Sequence, residues 1–180
     1  MPDDIEQRIG EIYRSHYRDV YHFMLYFTGN QNDAEDLTQD VFMRLLRSLS
    51  TYDCTKAGLK TWILSVAKNV AVDYYRKRKL SLLFTEKGLK KLPASDGIPE
   101  ASLDAKEQER LIERLLQRVK PQYRMVIILR CIKGYSIRET AEILECSEAK
   151  VKVNYHRGIK QLQEKVRLPT EGGWLHELVT

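Results

Sequence analysis

Apolar residues recur along this chain at spacings of three and four. Tyr13, Tyr17, Tyr21, Met24 and Phe27 form a first stripe, Leu37, Val41, Leu45 and Leu49 a second, and Leu59, Ile63, Val66, Val70 and Tyr74 a third. A period near that of the α-helix puts each set on one face and predicts three amphipathic helices. The polar turn TGNQND ends the first, and Asp33 is the expected cap of the second. STYDCTKAG breaks the second from the third, which is expected to end in the basic cluster RKRK at residues 76 to 79.

Periodicity fades over residues 81–104, where Gly, two Pro and mixed charges collect, as in a flexible linker. It resumes in DAKEQERLIERLLQRV, and Pro121 and Gly134 then bracket another helix. YSIRETAEILECSEAKVKVNYHRGIKQL, residues 135 to 162, reads as two short helices around a tight turn. Ser136 with Glu139 makes a capping box, Ala141 leaves room for a crossing helix, and Ser147 caps the second member. No β-alternation appears. The expected fold is all-α, with two small helical domains at 1–80 and 105–167, a helix-turn-helix at about 136–157, and a tail at 168–180.

Charge narrows the function. Thirty Lys and Arg against 25 Asp and Glu leave a net +5, which favours a polyanionic partner. The acidic amino terminus lacks the order of a secretion signal and no apolar run could span a bilayer, so a cytoplasmic protein is expected. Cys54, Cys131 and Cys146 are widely spaced, and His16, His22, His156 and His176 lack ligand spacing. Neither a disulfide framework nor a metal site is suggested. No nucleophile, base and metal combination points to an enzyme, a cofactor or a small-molecule substrate.

In the last helix Val151, Tyr155, Ile159, Leu162 and Val166 form the inward stripe, leaving Lys150, Val153, Asn154, Arg157 and Gln161 opposite, flanked by Lys152, His156 and Lys160. Such a face suits a major groove: Lys and Arg bond phosphates or guanine, Asn bonds adenine, and Val meets a thymine methyl. A solvated basic face is the alternative, which the capped two-helix pattern disfavours. The turn ECS lacks the usual Gly, and Gly158 sits inside the helix at a cost of about 1 kcal/mol relative to Ala.

The third helix carries a second polar face, Trp62, Ser65, Asn69, Asp73 and Arg76 with Lys68 beside it. Stacking rings, cations and amides are what single-stranded DNA and flipped bases require. Core packing of Trp62 and a surface ion pair between Asp73 and Arg76 would use the same residues differently. The second helix is acidic through Asp33, Glu35, Asp36 and Asp40, which suits a helix amino terminus and is a poor DNA surface. A protein partner fits it better.

Three segments in order carry a resemblance: DAEDLTQDVFMRLL, LKTWILSVAKNVAVDYYRKRK and YRMVIILRCIKGYSIRETAEILECSEAKVKVNYHRGIKQLQE. They resemble the conserved regions 2 and 4 of bacterial sigma-70 family factors of the extracytoplasmic function type, sigma-X-like in pattern. The resemblance implies that Asp33, Asp36, Gln39, Asp40, Phe42 and Arg44 dock on the clamp helices of the largest RNA polymerase subunit. It implies that Trp62, Lys68, Asn69, Asp73 and Arg76, with the loop around Tyr52 to Lys60, recognise and open the minus 10 element. Ser147, Lys150, Lys152, Val153, Asn154, His156 and Arg157 would read the minus 35 element. An anti-sigma factor would mask these surfaces. Val153, Asn154, Tyr155, Gly158 and Ile159 depart from residues common in the family, which bears on promoter preference. The rival expectation is a helix-turn-helix repressor or activator that acts on duplex DNA without polymerase.

Overall fold

The computed structural model describes residues 2–84 and 105–166, and every regular element among them is helical. The expected linker beyond residue 84 and the tail 168–180 lie outside the described residues. The first unit holds α1 (Pro2–Thr28), α2 (Gln31–Ser48) with a following 3₁₀ turn, and α3 (Leu59–Phe84). The second holds α4 (Ala105–Gln117), α5 (Pro121–Ile127), α6 (Ile137–Leu144) and α7 (Glu148–Val166).

Local chemistry sets the helix ends. Asn30, rather than Asp33, caps α2: its side-chain oxygen accepts from the Asp33 amide at 3.0 Å, and Asp33 becomes a first-turn acid. Helix α3 runs past the expected basic end to Phe84. Pro121 opens α5, whose last turn loosens into a π-helical segment at Ile128–Ile132 before Gly134 at φ +72°. The Ser136 and Glu139 capping box is formed in both directions.

Met24, Phe27, Val41, Leu45, Ile63 and Val70 lie in the first unit's core, as their spacing predicts, and Val20 and Phe23, outside the predicted stripes, join them. At the tyrosine end of the first stripe Tyr17 and Tyr21 are partly buried against this core, whereas Tyr13 is 44% exposed and packs edge-on against the buried Phe42 at 4.7 Å. One apolar cluster continues from these residues through Leu115, Leu116 and Val119 into Ile128, Leu129 and Ile143. The two units therefore pack on each other.

Two glycines are set by close approach. Gly29, at φ +65°, ends α1 under Gln117, whose side chain would lie 2.7 Å from an added Cβ. Gly158 lets α7 lie on α5: an added Cβ would meet Ile127 Cδ1 at 2.9 Å and Tyr123 Cβ at 3.1 Å. Its cost in helix propensity is thus the condition for packing. Gly158→Ala is expected to destabilise the protein by about 1–2 kcal/mol in urea unfolding, because overpacking outweighs the propensity gain.

Candidate functional site

Helix α7 presents the predicted reading face. Ser147 Oγ accepts from the Lys150 amide at 3.2 Å, fixing the start of the helix. Lys150, Lys152, His156 and Arg157 are exposed, Val153 is 47% exposed and Asn154 is half-buried. Behind them Val151 packs with Val126 and Ala141, so α6 holds α7 from the inner side. Tyr155 is pinned from behind by Cys131 Sγ, 3.7 Å from its hydroxyl. Arg157 also reaches the Tyr123 hydroxyl. Hydrogen bonds from Gln122 and then Arg157 lower the pKa of that phenol. The face is cationic and is backed by α5 and α6, an arrangement a major groove accepts.

Helix α2 turns its acids outward. Asp36 and Gln39 are exposed, while Phe42 is buried and acts as a support for the tyrosine cluster rather than as a free contact. Asp40 and Arg44 pair at 3.0 Å within the helix. The same guanidinium reaches Asp73 on α3 at 3.0 Å. Hydrogen bonds to Asp73 and then Asp40 raise the Arg44 pKa further above its ordinary range. A second tie runs between the same helices: the Tyr74 hydroxyl donates to Asp33 Oδ2 at 2.7 Å, with Arg78 3.6 Å from that oxygen. A groove of about 460 Å³ lies between the two ties.

The predicted strand-binding face of α3 is therefore divided. Asn69 and Arg76 are exposed. Trp62 is half-buried with its ring 4.6 Å from that of Tyr52, which joins the polar loop to the helix. Asp73 pairs with Arg44, not with Arg76 as the ion-pair alternative supposed. Lys68 lies under the second unit, its side chain 11% exposed and its Nζ 2.7 Å from Glu145 Oε2.

Three residues that sequence reasoning passed over complete the picture. Arg124, buried in α5, donates to the Phe27 carbonyl at the end of α1 and to Gln117 and Val119 at the end of α4. Asp19 receives Lys133 at 3.1 Å and Lys60 at 3.3 Å; burial alone would raise its pKa, but the two ammonium groups bring it below the usual carboxylate range. Glu145 occupies the turn of the helix-turn-helix at φ +52°. Only the missing Gly of that turn signalled it in the sequence.

The family model Sigma-70 region 2 matches residues 12–80, and Sigma-70, region 4 matches residues 109–162. The chain is 36% identical to the ECF RNA polymerase sigma factor SigX of Bacillus subtilis over 171 residues, covering 93% of this chain and 88% of that protein. It is 30% identical to SigM of the same organism, covering 86% and 93%. Among solved structures it is similar to the sigma factor RpoE of Bartonella quintana, there in complex with the anti-sigma factor NepR. That match has a TM-score of 0.71 and 21% identity over 90% of this chain and 98% of that one. CnrH, in complex with the cytosolic domain of CnrY, gives 0.66 at 19% identity over 90% and 89%.

Proposed function

From the premise that the chain belongs to the extracytoplasmic function sigma factors of RNA polymerase, we propose a division of labour among its helices. The protein binds core RNA polymerase and directs promoter-specific initiation, and the family is not an enzyme class. Helix α2 docks on the clamp helices of the largest subunit through Asp33, Asp36, Gln39 and Asp40. Arg44 positions Asp40, and Phe42 backs the surface from within. Helix α3 takes the minus 10 element through Trp62, Lys68, Asn69 and Arg76, with Asp73 held by Arg44 as an anchor. Helix α7 reads the minus 35 element through Lys150, Lys152, Val153, Asn154, His156 and Arg157, and Ser147 sets its start. An anti-sigma factor is the expected regulator. The protein works in the cytoplasm, where polymerase is; no described helix is long and apolar enough to cross a membrane.

The observation that carries this reading is an acidic face on α2 and a basic face on α7, with the polar α3 packed against α2 on one side and α6 of the helix-turn-helix on another. A repressor acting on duplex DNA alone has no use for the acidic face. The test adds purified protein to core polymerase on a mixed promoter template. Promoter-specific transcripts and a stable complex are expected; DNA binding with neither would leave the repressor reading in its place. Within this assay Arg157→Ala is expected to weaken promoter binding by about 1–3 kcal/mol and to relax preference at one base pair. A loss equal on all sequences would mark a phosphate contact instead.

A further inference from the structure

Glu145 is the only residue other than Gly at positive φ among the described residues, with φ 52° and ψ 50°. In this region an L side chain crowds the backbone, and turns of this kind ordinarily place Gly or Asn there. A strained position that keeps a long charged side chain calls for a use of that side chain. Its carboxylate meets Lys68 of α3 at 2.7 Å, and beside it the Ser65 hydroxyl reaches the Ile143 carbonyl at 3.3 Å. Lys68 is 11% exposed at its side chain, whereas Glu145 is 64% exposed, so the contact hides the cation and leaves the acid at the rim.

We propose that Glu145 is an autoinhibitory latch: its carboxylate occupies on Lys68 the place of a DNA phosphate and holds the helix-turn-helix over the minus 10 surface. The inference rests on the reading of α3 as that surface. Geometry makes the latched form inactive. Promoter elements about 25 base pairs apart lie roughly 85 Å apart along B-form duplex, too far for two units whose side chains touch. Opening must precede engagement of both elements. The shared apolar cluster and other ties across the interface, among them Lys133 to Asp19, Arg124 to Phe27 and Tyr26 to Glu109, support closure without pairing with the Lys68 ammonium. Lys68 is thus the point where closure and DNA compete for one ammonium group. A phosphate backbone presents many such competitors, and the exposed rim position of Glu145 allows exchange.

The test follows the full chain by small-angle X-ray scattering. Glu145→Gly and Glu145→Asn both suit the left-handed turn and remove the charge, so neither is expected to impair folding. Each should raise the open fraction roughly fivefold, the scale of losing one partly screened ion pair. Lys68→Glu alone and Glu145→Lys alone should open the protein through like-charge repulsion, and the two together should close it again. Scattering unchanged in Glu145→Gly and Glu145→Asn, or a double variant as open as the single ones, would overturn the latch. In transcription with core polymerase at limiting protein, Glu145→Gly should increase transcripts about fivefold over the unmodified chain. Absence of transcripts from the unmodified chain would count against the sigma reading alone, because the scattering result stands without polymerase.

Discussion

Arg124→Ala is expected to lower the unfolding free energy by about 3–5 kcal/mol, as much as truncating a large core side chain. The guanidinium ends two helices at once. It donates to the Phe27 carbonyl at the last turn of α1, to the Gln117 carbonyl at 3.1 Å and to the Val119 carbonyl at 3.0 Å beyond α4, and to the Gln117 side chain at 2.7 Å. Last-turn carbonyls have no partner inside their own helix and carry the negative end of its dipole, so a buried cation satisfies both needs. It also lies over the Phe27 ring, 5.5 Å from its centre. Burial draws the Arg124 pKa down to about 10, which still leaves it charged at neutral pH. Removing the side chain would take this donor from the Gln117 and Val119 carbonyls and leave the Phe27 carbonyl only the Gln117 Nε2 at 3.3 Å. Arg124→Lys keeps the charge but not the planar fork, and is expected to lose about 2 kcal/mol. Urea unfolding of the three proteins checks this; a loss below about 1 kcal/mol for Ala would show that water takes over the carbonyls.

Nothing in the sequence distinguishes Arg124 from any other polar residue in an apolar helix. Its role comes from the approach of two helix ends, and those ends are separated in the chain by 90 residues, as between Phe27 and Gln117. The same holds for Arg44 and Asp73, which the resemblance assigns to two different surfaces and the crossing of α2 and α3 brings to 3.0 Å. Features governed by a few neighbouring residues were legible. The stripes of Val41 and Leu45 or Ile63 and Val70, the Ser136 capping box and the Ser147 cap all stand as read. Asp33 was misassigned as a cap because Asn and Asp are near-equal in that role, and Asn30 lies three residues earlier, in the same polar turn. Phe42 shows a subtler limit: the resemblance implies a docking contact there, but the side chain is buried with Tyr13 and Tyr17 packed against it. The two anomalies noted in the sequence, the turn without Gly and the Gly inside α7, both became informative. One marks a strained Glu across from Lys68, the other a close helix crossing over Ile127.

Asp40→Lys is expected to weaken the complex with core RNA polymerase at least thirtyfold, about 2 kcal/mol or more. Asp40 lies on the outer side of α2, its side chain 45% exposed, in line with the exposed Asp36 one turn earlier. A Lys there would replace attraction to a basic partner by repulsion and set a second cation beside Arg44. Arg44 retains Asp73 at 3.0 Å, so the tie between α2 and α3 survives the change and the helix keeps its place. Asp40→Asn removes the charge without reversing it and should fall between the two. Binding of each full-length variant to core polymerase gives the affinity. Binding to duplex DNA without polymerase gives the control, because Asp40 pairs with Arg44 within α2, on a different helix from the basic face of α7. The control is expected to stay within about twofold of the unmodified chain. Loss of polymerase binding with DNA binding intact assigns Asp40 to docking. Equal loss of both would instead mean that Asp40 serves the folding of α2, and the acidic helix would no longer be the polymerase surface.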